Sequence, residues 1–184
     1  LTTLGDPLMD LGNTLAYWIE AADPAPVQLM RRQPSNAPGM LTRREFVDYY
    51  SANIAGGSAP FPGVVPLLGR LKASGIGMGV CTNKLEGLSV QLLEALDLRR
   101  YFGSVIGPDT LGISKPDPRP FRESVARLGL TSPRAIMVGD SETDILTARN
   151  AGVPVIAVPF GYTPRPVAEF HPDALIGHFD EAWE

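Results

Sequence analysis

The chain has 184 residues, of which 44% are hydrophobic and 20% charged, and its formal net charge is −4. These values are ordinary for one globular domain with a small appendage, and the acidic balance argues against a nucleic-acid-binding surface. The single cysteine, Cys81, excludes an internal disulfide framework and fits a reducing compartment. We recognise no signal-peptide pattern and no apolar run of membrane-spanning length. We therefore expect a cytoplasmic protein, monomeric or homodimeric, with no nucleic-acid or membrane partner.

The amino-terminal part of the chain is predicted to be mainly helical. Helical apolar spacing covers 11–22 and 62–74, and four prolines interrupt a loop over 23–40 between them. A capping-box signature, Thr42-Arg43-Arg44-Glu45, predicts the start of another helix. The pair Gly56-Gly57 should end that helix.

From about residue 77 onward, short apolar runs alternate with helical patterns. Predicted strands lie near 77–81, 104–107, 135–138, 155–158 and 174–177. Predicted helices lie near 85–97, 119–128 and 142–151. This alternation predicts an α/β fold with a doubly wound parallel sheet and right-handed crossovers. The residues that precede the sheet would form a small helical cap or appendage.

Two carboxylates follow one of the predicted strands. Asp140 and Asp144 stand one helical turn apart, just after an apolar run that ends at Val138. Ligands bind at the carboxyl ends of strands in open α/β sheets, and Mg²⁺ takes one or two carboxylates together with substrate phosphate oxygens. The alternative is a helix N-cap, because Asp and Ser are favoured there and acidic residues suit the first turn.

Two other loops have the composition of a phosphate site. Thr82-Asn83-Lys84 follows a predicted strand and precedes a helix, so a hydroxyl, an amide and backbone N–H groups can together cradle a phosphate. Lys115 is followed by Pro116 and Pro118, which restrict the backbone of its loop. A lysine held beside a phosphate neutralises charge that moves during transfer. The alternative for Lys115 is a solvated surface lysine, the commoner environment of that residue.

Taken together, these motifs resemble motifs two, three and four of the haloacid-dehalogenase superfamily. Within it, the stretch over about 46–184 is similar to phosphoglycolate phosphatases. The segments that carry the resemblance are Asn53-Ile54-Ala55, Pro60-Phe61-Pro62-Gly63-Val64, Cys81-Thr82-Asn83-Lys84, Lys115-Pro116-Asp117-Pro118, Val138-Gly139-Asp140-Ser141, Ala151-Gly152-Val153-Pro154 and Phe160-Gly161-Tyr162. The resemblance implies a Rossmann-like hydrolase core over 60–184 and a small helical cap over 14–59. It also implies hydrolysis of a small phosphorylated metabolite, such as 2-phosphoglycolate, with Mg²⁺ as cofactor.

The resemblance assigns a role to each matching residue. Thr82 would bind the transferring phosphoryl group, and Asn83 would shape the same loop. Lys115 would steady the nucleophile and the phosphoryl oxygens. Asp140 would hold Mg²⁺, and Asp144 would hold the ion or orient its ligands.

Motif one has a single candidate, in Met9-Asp10-Leu11-Gly12-Asn13-Thr14-Leu15. The family pattern, Asp-x-Asp-Gly-Thr-Leu, would make Asp10 the nucleophile, which forms an aspartyl-phosphate and also binds Mg²⁺. Gly12 stands where the family has its acid/base aspartate; its backbone carbonyl could still bind the metal. Because general acid–base catalysis typically contributes about 10²–10⁴-fold in rate, we expect a slow phosphatase.

The amino-terminal residues have a second interpretation. Residues 4–18 closely resemble a segment of aminoglycoside-phosphotransferase-like kinases, and the likeness extends to about Tyr50. Residues 1–13 would then be a foreign kinase-like segment instead of the first core strand with motif one. Pro7 favours this view, since proline is disfavoured in a central strand, and Asp10 could equally cap a helix. The alternative function is a phosphate- or Mg²⁺-binding remnant without a nucleophile, and a third is a regulatory partner of a kinase-like protein.

Overall fold

The computed structural model describes residues 22–24, 39–130, 134–161 and 163–183. The chain divides into two units, Leu1–Gly56 and Gly57–Glu184. The predicted helix over 11–22, apart from its last residue, and the candidate residues Asp10 and Gly12 lie outside the described residues. No helix in the described ranges is long and apolar enough to cross a membrane.

In the first unit, helix α1 spans Arg43–Ala52 and begins with the predicted capping box. The Glu45 N–H donates to Thr42 Oγ1 (3.1 Å), and the Thr42 N–H donates to Glu45 Oε2 (2.8 Å). These hydrogen bonds lower the pKa of Glu45. The predicted end of the helix at Gly56-Gly57 is wrong, because Asn53 caps the helix earlier: its side-chain amide donates to the Tyr49 carbonyl at 2.8 Å.

The second unit alternates strands and helices as the sequence predicted. Its strands are β1 Gly79–Cys81, β2 Ser104–Ile106, β3 Met137–Gly139, β4 Val155–Ala157 and β5 Ala174–Leu175. Its α-helices are α2 Val64–Ala73, α3 Glu86–Ala95, α4 Pro108–Leu111, α5 Arg119–Arg127 and α6 Glu142–Ala151. The 3₁₀ segments whose bounds lie within the described residues are Arg99–Tyr101, Val167–Phe170 and Phe179–Trp183. The sequence patterns did not predict α4 or the 3₁₀ segments, which are too short to produce a periodic signal.

All strand pairs are parallel, as predicted, and the described strands form two sheets; the predicted first core strand lies outside the described residues. One sheet pairs β1 with β2, and the other has the order β3-β4-β5. In β3, the Gly139 carbonyl accepts from the Val158 N–H (3.0 Å), and the Met137 N–H donates to the Pro154 carbonyl (2.9 Å). Because these alternate residues bond toward β4, the N–H and C=O of Val138 point to the opposite edge of the strand. In the described ranges, no strand pairs with that edge.

The main core lies between the β3-β4-β5 sheet and helices α5 and α6. Ile145, Ala148 and Ala157 are completely buried there. Helix α5 packs on β1, on β2 and on α6, so it connects the two sheets. On the other face of β3, Ile136 and Val138 are 58% and 50% exposed. A doubly wound sheet is expected to be covered on both faces, and this part of it is covered on one.

Candidate active site

The predicted site residues of the second unit lie in loops at the carboxyl ends of the strands. Thr82 and Asn83 directly follow β1, and Asp140 directly follows β3. Lys115 lies in the loop between α4 and α5, and Asp144 lies in the first turn of α6. The carboxyl ends of parallel strands are the usual position of a ligand site in this class of fold.

Two hydrogen bonds position Thr82, one to the neighbouring strand β2 and one within its own loop. The Thr82 N–H donates to the Ile106 carbonyl of β2 (3.0 Å), and Thr82 Oγ1 accepts from the Lys84 N–H (3.1 Å). The oxygen of the hydroxyl is therefore an acceptor within the loop, while its proton can be donated to a ligand.

The start of α3 is hydrogen-bonded to helix α4, the short helix that follows β2. Asp109 Oδ1 accepts from the Glu86 N–H at 2.8 Å, and the Thr110 hydroxyl donates to Glu86 Oε2 at 2.5 Å. Thr110 Oγ1 also accepts from the Gly107 N–H at 2.9 Å. A Cβ at Gly107 would lie 2.6 Å from the Lys84 carbonyl oxygen, so the two loops approach too closely there for a side chain.

The side-chain amide of Asn83 holds the backbone of Lys115 from both sides. Its Oδ1 accepts from the Lys115 N–H (2.8 Å), and its Nδ2 donates to the Lys115 carbonyl (3.2 Å). The following peptide bond, Lys115–Pro116, is cis. The Pro116 carbonyl accepts from Asn150 Nδ2 of α6 at 2.9 Å. Two asparagines from different elements therefore position the lysine loop.

Lys115 forms a buried ion pair with Asp144. Its Nζ lies 2.5 Å from Asp144 Oδ1, and the two side chains are only 11% and 7% exposed. This geometry contradicts the alternative of a solvated surface lysine. Removing one member of such a pair leaves an uncompensated buried charge, which typically costs about 3–5 kcal/mol.

The other oxygen of Asp144 organises the loop that carries Asp140. Asp144 Oδ2 accepts from the Asp140 N–H (3.1 Å) and from the Ser141 hydroxyl (2.8 Å). Ser141 is also the N-cap of α6, and its Oγ accepts from the Asp144 N–H at 3.3 Å. The helix-cap alternative is therefore correct for Ser141, whereas both oxygens of Asp144 are engaged by donors that orient Lys115 and the Asp140 loop.

The Asp144 carboxylate lies so close to the backbone of residue 139 that only glycine fits there. A Cβ at this position would lie 2.5 Å from Cγ of Asp144 and 2.6 Å from its Oδ2. Real Cβ contacts are not this short, so any side chain at Gly139 would displace Asp144. The glycine thereby lets the strand end lie directly beside the buried ion pair.

Asp140 is the described residue best suited to bind a metal ion. It lies directly after β3, at the carboxyl end of the strand, and the ammonium group of Lys115 contacts the neighbouring carboxylate, Asp144. In the described part of the chain, no group of three His, Cys, Asp or Glu side chains is placed to hold a metal. A single carboxylate still fits Mg²⁺, which in proteins is commonly bound by one or two carboxylates with substrate phosphates and water.

Cys81 lies at the end of β1, beside the ion pair. Burial raises the pKa of its thiol to about 11, with an opposing effect of Lys115 and a smaller raising effect of Asp144. A thiol that stays protonated is a poor nucleophile and a poor metal ligand. Cys81 therefore has a packing role.

Sequence reasoning missed the partners that position the lysine loop. Asn150 lies 34 residues from Pro116, and no local pattern links them. Asn83 was placed in the phosphate loop, but its contact with a backbone 32 residues away could not be read from the sequence.

At the end of the lysine loop, hydrogen bonds from the Arg119 guanidinium and backbone lower the pKa of Asp117 to about 2.

Comparisons with known proteins identify the family to which the chain belongs. A family model for haloacid dehalogenase-like hydrolases matches residues 22–158, a match that begins after Asp10 and Gly12. A phosphoglycolate phosphatase from Mesorhizobium japonicum is 50% identical over 135 residues, or 73% of this chain, so the chain spans only 60% of that relative's length.

Two further similarities cover more of the chain. A phosphoglycolate phosphatase from Agrobacterium fabrum is 40% identical over 198 aligned positions, which cover 96% of this chain and 85% of that protein. With 96% of the chain aligned, only a few residues can precede the match, so Asp10 lies within it. The crystal structure of a predicted phosphoglycolate phosphatase from Haemophilus somnus has a TM-score of 0.73 and 30% identity, covering 93% of this chain and 80% of that one. Together with the family match, these similarities show that the chain belongs to the haloacid dehalogenase-like hydrolases.

Proposed function

We propose that the protein is a Mg²⁺-dependent phosphomonoester hydrolase that acts on a small phosphorylated metabolite. The observation that supports this most strongly is the position of Lys115. Its backbone is held by Asn83 and its ammonium group by Asp144, so one lysine connects the loop of the phosphate cradle with the loop of the metal carboxylate. Arrangements of this kind suit phosphoryl transfer, in which catalysis consists mainly of positioning and charge stabilisation.

The charges in the site fit an anionic substrate. An ammonium group has three donors, and Asp144 accepts from one, which leaves two for phosphoryl oxygens. The Thr82 hydroxyl proton and the backbone N–H groups near it would bind the same phosphoryl group. Mg²⁺ would be held by Asp140, by Asp10 and by the Gly12 carbonyl, and when bound it polarises the phosphoryl oxygens as a Lewis acid.

In the proposed reaction, a carboxylate oxygen of Asp10 attacks phosphorus, and the bond from phosphorus to the alcohol oxygen breaks. The alcohol leaves after gaining a proton, and water then attacks phosphorus in the aspartyl-phosphate to release phosphate and restore the carboxylate. Gly12 cannot supply the proton or activate the water. Water would carry the proton in both steps, so we expect slow turnover.

The substrate proposal rests on the relatives. Both curated relatives described above are phosphoglycolate phosphatases, and 2-phosphoglycolate is small enough to be bound mainly through its phosphate. The 198 aligned positions exceed the 184 residues of this chain, so the Agrobacterium protein carries residues that this chain lacks. We therefore propose a substrate of the 2-phosphoglycolate type and expect less discrimination among small phosphomonoesters.

The test is phosphate release from 2-phosphoglycolate and from p-nitrophenyl phosphate, with and without Mg²⁺. Metal-dependent turnover that Asp10→Asn abolishes is the expected result. Gly12→Asp would restore an acid/base carboxylate and should raise kcat by about 10²–10⁴-fold. Asn13→Asp is the matched control, since it adds the same charge one residue further on and should give no gain. Absence of turnover in both folded wild type and folded Gly12→Asp would refute the proposal.

A second candidate is a phosphate- or Mg²⁺-binding protein without hydrolase activity. The observations that favour it are Gly12 in the acid/base position and a family match that begins only at residue 22. In that case, isothermal titration should detect binding of inorganic phosphate that depends on Lys115 and Thr82, while no variant at position 12 turns over substrate.

A further inference from the structure

The side chain of Asp140 is packed against a second loop, to whose residues the sequence analysis assigned no role. Gly161 lies in the turn after β4. A Cβ at Gly161 would lie 2.5 Å from Cγ of Asp140 and closer still to its Cβ and Oδ2. The φ angle of Gly161 is not in the left-handed region, so space, and not backbone conformation, requires glycine there. The turn thus forms a wall against one side of the Asp140 carboxylate.

Three phenylalanines hold this turn in place. The ring of Phe160, next to Gly161, packs edge-on against Phe61 and against Phe179, with centroids 5.1 and 5.5 Å apart. Phe61 precedes α2, and Phe179 begins the carboxyl-terminal 3₁₀ segment. The neighbouring His178 also packs closely on the chain before α2, because a Cβ at Gly63 would lie 2.8 Å from its Cε1. We call Phe61, Phe160 and Phe179 the phenylalanine cluster.

The backbone and the side chain of Asp140 are therefore positioned by different parts of the molecule. Its N–H donates to Asp144 Oδ2, which fixes the backbone within its own loop. Its carboxylate lies against Gly161, so a side chain at position 161 would displace it. A metal site needs its carboxylate held to within a fraction of an ångström.

We infer that the Phe160–Gly161 turn, held by the phenylalanine cluster, positions the Asp140 carboxylate for metal binding. The carboxyl-terminal 3₁₀ segment then contributes to metal affinity without touching the metal. This inference rests on the proposed function, since it concerns the carboxylate proposed to bind Mg²⁺. Gly161 and Phe179 act in it as positioning residues, not catalytic ones.

The experiment measures Mn²⁺ affinity of the full chain by electron paramagnetic resonance, with Mn²⁺ as the probe and Mg²⁺ as competitor. Gly161→Ala should weaken Mn²⁺ binding at least tenfold. Gly87→Ala is the matched control, because a Cβ at Gly87 meets nothing within 4 Å in helix α3. It should leave the affinity unchanged.

A second pair of variants tests the phenylalanine cluster if Gly161→Ala fails to fold. Phe179→Ala removes a ring that contacts Phe160 and should weaken Mn²⁺ binding about threefold or more. Trp183→Ala removes a ring of the same 3₁₀ segment that stacks on the Arg70 guanidinium instead, at 4.3 Å, and should leave affinity as in wild type. Equal losses in Phe179→Ala and Trp183→Ala would indicate a general structural effect and overturn the inference.

Asp140→Asn separates this inference from the proposed function. If Asp140→Asn abolishes Mn²⁺ binding while folded Gly161→Ala and Phe179→Ala bind as wild type does, the positioning role is refuted and the metal site stands. If wild type binds no Mn²⁺, or Asp140→Asn binds it equally well, both the metal site and the positioning role are refuted.

Discussion

Replacing Lys115 with methionine should destabilise the protein through Asp144. Methionine keeps the unbranched apolar stem but removes the ammonium group that lies 2.5 Å from Asp144 Oδ1. The Asp144 side chain is 7% exposed, so water cannot replace the lost partner. The hydrogen bonds from Ser141 and from the Asp140 N–H remain and stabilise part of the charge.

The expected loss follows from that geometry. Breaking a buried ion pair costs about 3–5 kcal/mol, and the two remaining donors place this case near the lower end, at about 3 kcal/mol. For a chain of this size, 1 kcal/mol shifts Tm by roughly 2–4 °C, so Lys115→Met should lower Tm by roughly 6–12 °C. Asp144→Asn in the same background removes the unpaired charge and should recover much of the loss.

The assay is urea unfolding followed by circular dichroism for wild type, both single variants and the double variant. We expect a coupling energy of at least about 1 kcal/mol between Lys115 and Asp144, since contacting residues are not additive. Glu123→Gln is the control, because it breaks the exposed pair with Arg127 (side chains 36% and 42% exposed) and should cost no more than about 0.5 kcal/mol. Additive effects of Lys115→Met and Asp144→Asn would refute the reasoning.

Three further predictions concern the surroundings of the pair. Asn83→Ala removes both hydrogen bonds to the Lys115 backbone. It should lower the phosphatase kcat at least tenfold and the free energy of unfolding by about 1–3 kcal/mol. An unchanged kcat would contradict the positioning of Lys115 by Asn83. Gly139→Ala should cost about 1–3 kcal/mol in urea unfolding, because its Cβ would overlap Asp144, whereas Gly87→Ala should cost nothing. Burial raises the pKa of Cys81 from 9.0 to about 11, so iodoacetamide should alkylate the folded protein at pH 8 much more slowly than the urea-unfolded one. Equal alkylation rates in the folded and the unfolded protein would show that the thiol is not buried. Since the raised pKa favours the protonated thiol in the folded state, the free energy of unfolding should also fall as pH rises from 9 toward 11.

The sequence predicted the order of the described strands and of the longer helices because each of these has a local signal. Helix α6 was predicted over 142–151, and the structure has Glu142–Ala151. Strand β3 was predicted two residues early, at 135–138, since hydrophobicity marks Ala135 and Ile136 while Gly139 is assigned by its pairing with Ala157. Pairing between strands is a long-range property that no local window contains.

The residues of the candidate site were predicted from the sequence, but the contacts between their side chains were not. Residue type and spacing pointed to Thr82, Lys115 and Asp140. Which carboxylate would pair with Lys115 depends on how two crossover loops meet, and the structure gives Asp144. The contact of Gly161 with Asp140 could not be predicted either. Glycine is required at position 161 because the Asp140 side chain, which belongs to another loop, lies too close for a Cβ.

The bridging position of helix α5 has a consequence for folding cooperativity. In the described residues, no backbone ladder joins the β1-β2 sheet to the β3-β4-β5 sheet. The two halves are coupled through α5 and through side-chain contacts such as Lys115 with Asp144 and Asn150 with Pro116. Regions that are linked by few contacts open as separate cooperative units in hydrogen exchange. Weakening the Lys115–Asp144 contact should therefore let the amides of Val105 and Val155, one in each sheet, exchange through separate opening events, so that this ion pair also contributes to the cooperativity of unfolding.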